Sequence, residues 1–142
     1  MITIYLKSYN KIIRNADVKL FDDLGYDDIL WIDMISPTIK EQKAVESFLD
    51  INLQTRQQVE EIESTSKYSE TESAIICNSN FFVPTDDSFT VEPVSFIVTE
   101  GVLVSVRNAE FRTFNEAAKR LQMNSRAYPT GYHLLISILE VR

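Results

Sequence analysis

Apolar and polar positions along the chain change period several times, and each change marks an element. Met1 to Leu6 and Lys11 to Ile13 are β-rich pieces on either side of a Ser8-Tyr9-Asn10 turn signal, which predicts an opening hairpin. Asp17 to Leu24 reads as a short helix. Gly25 and Asp27-Asp28 then interrupt the pattern before a strand Ile29-Leu30-Trp31-Ile32, with Asp33 at its exit. Ser36-Pro37-Thr38 is helix-start chemistry, with Pro at the first turn and Thr38 and Glu41 at capping-box spacing. The helix should run to about Leu49 and bury a stripe of Ala44, Val45, Phe48 and Leu49, leaving Lys40, Lys43 and Glu46 outside. Asn52 can cap a second short helix, Leu53 to about Glu63, anchored only by Val59 and Ile62 with Ile51 leading in.

Three strands follow, Ser73 to Val83, Phe89 to Thr99 and Val102 to Arg107, separated by Pro84-Thr85-Asp86-Asp87 and by Glu100-Gly101, so this stretch is a β meander. Phe111, Phe114, Ala117, Ala118 and Leu121 recur with helical period and predict a helix from Phe111 to Gln122. In Thr130 to Arg142 only His133, Ser137 and Glu140 interrupt the apolar residues. A helix so apolar needs cover on several sides, and without a Gly, Asn or Pro stop signal the expectation is a piece of a longer protein. The element order predicts one α/β (α+β) domain, residues 1–142, with a mixed, largely antiparallel sheet sandwiched between helices.

Composition narrows the chemistry. The 142 residues carry 14 basic and 21 acidic side chains, a net charge of −7, the wrong sign for neutralising phosphates, so no nucleic-acid partner is expected. The glycines Gly25, Gly101 and Gly131 form no glycine-rich phosphate loop. A lone Cys77 and a lone His133 exclude a disulfide framework and a Cys/His zinc site, and suggest a cytoplasmic setting. No apolar run approaches the roughly 20 residues that cross a bilayer, and the amino end lacks signal-peptide character, so the stretch itself reads as soluble.

The acidic residues are the most visible chemical feature. Asp22-Asp23, Asp27-Asp28, Glu60-Glu61, Asp86-Asp87 and the spaced Glu70 and Glu72 read as solvated turns and helix faces, and none has calcium-loop spacing. Shared, hydrated magnesium sites stay open, because magnesium takes only one or two carboxylates directly. Ser95 and Ser105 have no nucleophile elbow, and no second histidine supports a triad, so no enzymatic activity is expected. His133 reads as a surface hydrogen-bonding residue, Cys77 as a small core residue and Trp31 as core.

Leu30-Trp31-Ile32-Asp33 followed by Ser36-Pro37-Thr38 and then Val45-x-x-Phe48 resembles the opening of the soluble domain of CorA-type magnesium transporters. Glu92-Pro93-Val94-Ser95-Phe96-Ile97-Val98 with Gly101-Val102-Leu103-Val104-Ser105-Val106-Arg107 is similar to that family's paired strands. His133-Leu134-Leu135-Ile136-Ser137-Ile138-Leu139-Glu140 resembles the start of its long stalk helix, and order and spacing agree from about residue 29 onward.

The resemblance implies the amino-terminal cytoplasmic domain of a homopentameric divalent-cation channel, an α/β/α sandwich cut where the stalk helix begins. It implies a place at the cytoplasmic face of the cell inner membrane. The family's two membrane helices and its Gly-Met-Asn pore sequence lie further downstream and do not occur in these residues. Members bind regulatory Mg2+ between neighbouring domains through an acidic residue on a short helix and an Asp on the stalk-entry helix. Here glutamines, Gln57 and Gln58, stand in the first region, and Glu140 stands where the Asp is usual. The expected metal ligands are therefore Glu140, with Glu60 and Glu61 substituting for the lost charge. A competing reading is a stand-alone acidic protein-interaction domain with no metal or transport role.

Overall fold

The computed structural model describes residues 1–8, 11–53, 67–70 and 74–140, with 67–70 described by their backbone. Seven strands form one sheet: β1 (Ile2–Leu6), β2 (Ile12–Ile13), β3 (Ile29–Ile35), β4 (Lys67–Glu70), β5 (Ile75–Pro84), β6 (Phe89–Thr99) and β7 (Val102–Arg107). Their order is β2-β1-β3-β7-β6-β5-β4. Among the described residues only β3 and β7 pair in parallel; every other ladder is antiparallel. The opening hairpin is present, with Ile4 opposite Ile13 and Tyr5 opposite Ile12. The meander of β5, β6 and β7 is present as well. At its second corner Thr99 pairs with Val102, and Glu100 and Gly101 both take positive φ, 52° and 75°, as a two-residue hairpin turn matched to strand twist requires.

Strand alternation sorts the core into two layers. Ile2, Ile4, Ile32, Met34, Ile97, Val102 and Val104 face helix α1 (Ile39–Leu49), which contributes Val45 and Leu49. Tyr5, Trp31, Phe96, Val98 and Leu103 face the opposite side, where α2 (Arg112–Met123) and α3 (Gly131–Glu140) supply Phe114, Ala117, Leu121, Leu134, Leu135 and Ile138. Burying both faces makes this an α/β/α sandwich with a mixed, largely antiparallel sheet, as the pattern predicted. One irregularity shifts the alternation. Tyr5 pairs with Trp31 but Leu6 with Ile29, so Leu30 bulges and shares the Trp31 core.

Helix α1 starts as its sequence dictates. Thr38 Oγ1 accepts from the Glu41 amide at 3.1 Å and Glu41 Oε1 accepts from the Thr38 amide at 3.0 Å, closing a capping box. Pro37 precedes that cap rather than filling the first turn.

Several boundaries need correcting. The strand predicted to end at Ile32 continues to Ile35, so Asp33 lies inside it. Asp17 to Leu24 forms a 3₁₀ turn, Val18–Asp22, not an α-helix, and a second 3₁₀ turn occupies Tyr26–Asp28. Such short segments close i to i+3 bonds more readily than a helix nucleus. Strand β5 begins at Ile75, and edge strand β4 has no counterpart in the expected elements. Phe111 caps α2 instead of joining it. The short helix expected from Leu53 to Glu63 lies outside the described residues beyond Leu53, which is in neither helix nor strand.

Candidate functional site

Most acidic pairs singled out in the sequence lie where solvent reaches them. Asp22, Asp23, Asp27, Asp28, Asp86 and Asp87 are exposed turn residues. Asp28 is engaged locally, its Oδ2 accepting from the Gly25 amide at 2.8 Å. Among the described residues no three His, Cys, Asp or Glu side chains converge on a point that could hold a metal. Glu140 is exposed on the last described turn of α3. Glu60 and Glu61, like Gln57 and Gln58, lie outside the described residues. Glu140 thus fits a divalent cation only as one carboxylate of a shared, largely hydrated site, the arrangement magnesium tolerates.

His133 is exposed, with Nδ1 2.8 Å from Thr130 Oγ1. Cys77 and Trp31 are core residues, as expected.

The strongest buried electrostatic feature went unread in the sequence. Parallel pairing of β3 with β7 sets Asp33 opposite Ser105, with Arg107 two residues on. Arg107 donates to Asp33 Oδ1 through Nε at 3.1 Å and to Oδ2 through Nη2 at 2.7 Å, a forked ion pair with both side chains under 5% exposed. Ser105 Oγ donates to Asp33 Oδ1 at 2.8 Å and accepts from Trp31 Nε1 at 2.9 Å. The remaining guanidinium nitrogen donates to the Ala109 carbonyl at 2.9 Å, and the guanidinium carbon lies 4.3 Å from the Phe114 ring centroid. Tyr5 stacks on Trp31 with ring centroids 4.3 Å apart.

This centre is a clamp. Its charges neutralise each other, its hydroxyl proton is already given to a carboxylate, and no solvent reaches Ser105. It ties the two parallel strands to the Arg112–Met123 helix and leaves nothing to attack a substrate. Burial, then the Asp33 charge, pushes the Tyr5 phenol up to about 12, so its hydroxyl stays protonated at neutral pH. Across the sheet, Asn78 and Ser95 sit directly opposite each other, and Asn78 Oδ1 and Ser95 Oγ are buried without a hydrogen-bond partner among the described residues.

Comparison with known proteins gives this architecture its class and then its family. The fold is that of a transporter's soluble domain. The soluble domain of CorA from Methanocaldococcus jannaschii superposes with a TM-score of 0.58 at 15% identity, covering 99% of this chain and 56% of that one. The complete CorA magnesium transporter from the same organism superposes at 0.63 with 14% identity, covering 98% and 44%. The chain belongs to the CorA-like Mg2+ transporter protein family, whose model matches residues 26–141. Among curated relatives, the magnesium transport protein CorA of Wolinella succinogenes is 26% identical over 147 residues, and that of Campylobacter jejuni subsp. jejuni is 28% identical over 151. All of this chain aligns to each, yet it spans 46% of their length. Among the described residues no helix is long and apolar enough to cross a membrane.

Proposed function

We propose that this domain is the sensing and assembly part of a membrane-embedded magnesium transporter, and that Mg2+ held between neighbouring subunits regulates it. The observation that carries the reading is the family match over residues 26–141. The relatives are named magnesium transport proteins and extend to about twice this length, which leaves room for membrane helices elsewhere in the protein. In this reading the domain lies at the cytoplasmic face of the inner membrane, in a homopentamer. It is not an enzyme.

Charge supplies the physical link. A domain of net charge −7 repels its copies when they are brought together in a ring. Unit charges about 4 Å apart interact by roughly 4 kcal/mol at an effective dielectric near 20. A divalent ion supplies two compensating charges between facing carboxylates. Glu140 is the ligand offered by the described residues, with Glu60 and Glu61 completing the acidic set. Without such compensation adjoining domains separate, which biases the ring towards its conducting state.

Melting the full-length protein with and without millimolar Mg2+, at matched ionic strength, tests the bridge. A Mg2+-specific rise in Tm that Glu140→Gln diminishes is expected. An identical rise in both proteins would remove Glu140 from the site, and no rise in the parent would remove the bridge.

A further inference from the structure

A pocket of about 190 Å3 opens between the β1–β2 hairpin and the segment that follows the Arg112–Met123 helix. Its apolar wall comes from Ile12, Leu30 and Leu121, and Tyr5 and Tyr128 add aromatic surface. Lys7, Lys11 and Arg126 also line it, and among the described residues no Asp or Glu does. In a chain where acids outnumber bases 21 to 14, that local reversal of sign stands out. All three cations are exposed, and none makes an ion pair among the described residues. The nearby Asp28 is not among the residues lining the pocket, and its Oδ2 accepts from the Gly25 amide.

The pocket is built rather than incidental. The Leu6 amide donates to the Lys11 carbonyl at 2.8 Å, and the Lys7 amide to the Asp28 carbonyl at 3.0 Å, so the hairpin backbone that carries both lysines is pinned on two sides. Arg126 sits in the 3₁₀ turn Ser125–Ala127, whose flanking amide at Tyr128 donates to the Ser125 carbonyl at 3.1 Å.

An apolar, aromatic wall with cations around it matches a ligand with a ring at one end and an anionic group at the other. The cavity is smaller than the roughly 300 Å3 at which drug-sized sites begin, which fits one ring and not a dinucleotide. Three cations favour a phosphate over a singly charged carboxylate. We propose that this pocket binds a small phosphate monoester with a single-ring body, held by Lys7, Lys11 and Arg126. The site lies apart from Glu140 in sequence and does not depend on how the parent protein handles magnesium.

Phenyl phosphate, inorganic phosphate and phenol are the probes, titrated into the 142-residue chain and followed by backbone amide NMR shifts. Phenyl phosphate should move the amides of Leu6, Lys11, Leu121 and Arg126, and bind at least about tenfold more tightly than either fragment probe. Lys11→Gln with Arg126→Gln should weaken it at least about tenfold, whereas Lys19→Gln, an exposed lysine elsewhere, should leave it unchanged. The dispersed spectrum reports that each variant is folded, and Lys7→Gln serves if the double variant is not. Equal binding of inorganic phosphate and phenyl phosphate would reduce the site to adventitious anion attraction. No shifts, equal weakening by Lys19→Gln, or response only to phosphatidylglycerol vesicles would each overturn the proposal.

Discussion

Arg107 is the most heavily engaged side chain of the buried polar centre. Its guanidinium satisfies both oxygens of Asp33, the Ala109 carbonyl and the Phe114 ring face, at a depth where a lone charge could not survive. Arg107→Met should destabilise the domain by about 3–5 kcal/mol in chemical denaturation, because Asp33 is left buried and unpaired. A loss under about 1 kcal/mol would mean that water reaches Asp33. Tyr5 makes a prediction with a definite sign. Its folded pKa is raised to about 12 against an ordinary 10, so its contribution is complete below pH 10 and is lost as pH rises through 12. Between pH 9 and 12 the parent should lose about 2 kcal/mol more stability than Tyr5→Phe, read as the difference between their denaturation free energies. Equal losses would show that burial does not hold the Tyr5 proton.

At the scale of elements, the close approach of α3 to the sheet rests on a missing side chain. A Cβ at Gly131 would lie 2.3 Å from the Leu103 amide nitrogen, and the Gly131 amide itself donates to the Gly101 carbonyl at 2.8 Å. Gly131→Ala should therefore cost about 1–3 kcal/mol in thermal or chemical unfolding, although alanine is the better helix former. An unchanged Tm would mean that α3 moves freely off β7. What the sequence made legible at this scale was whatever local chemistry decides: the Thr38 capping box, the Glu100-Gly101 corner, and the helical period from Phe111 to Leu121. Asp33 was misplaced because a polar residue in an apolar run ordinarily marks a strand's end, whereas here Ser105 and Arg107, more than 70 residues on, make its burial tolerable. Strand β4, Lys67–Glu70, carries no apolar alternation, so only its pairing to β5 reveals it. The cationic pocket was hidden for the same reason as Asp33, since Lys7 and Arg126 meet only through the tertiary fold.

On the scale of the whole molecule, two core layers account for the sandwich, and the surface carries the rest. The family resemblance was legible because its three motifs sit on β3 with α1, on β6 with β7, and on α3, elements whose order the topology enforces. Of the proposed metal ligands, Glu140 is exposed on the last described turn of α3, and Glu60 and Glu61 lie outside the described residues. Phe82, Phe89 and Val91 are 64%, 60% and 49% exposed at the tip of the β5–β6 hairpin, where Phe82 and Phe89 meet edge to face at 5.0 Å.

The central claim, that acidic domains of adjoining subunits are held by magnesium and restrain transport, is tested most directly by flux. Mg2+ entry into liposomes carrying the full-length protein would be followed while Mg2+ on the domain side is raised to millimolar levels. The account predicts that the parent is progressively inhibited and that a Glu60→Gln, Glu61→Gln, Glu140→Gln triple variant keeps conducting. Equal inhibition of parent and triple variant would contradict it.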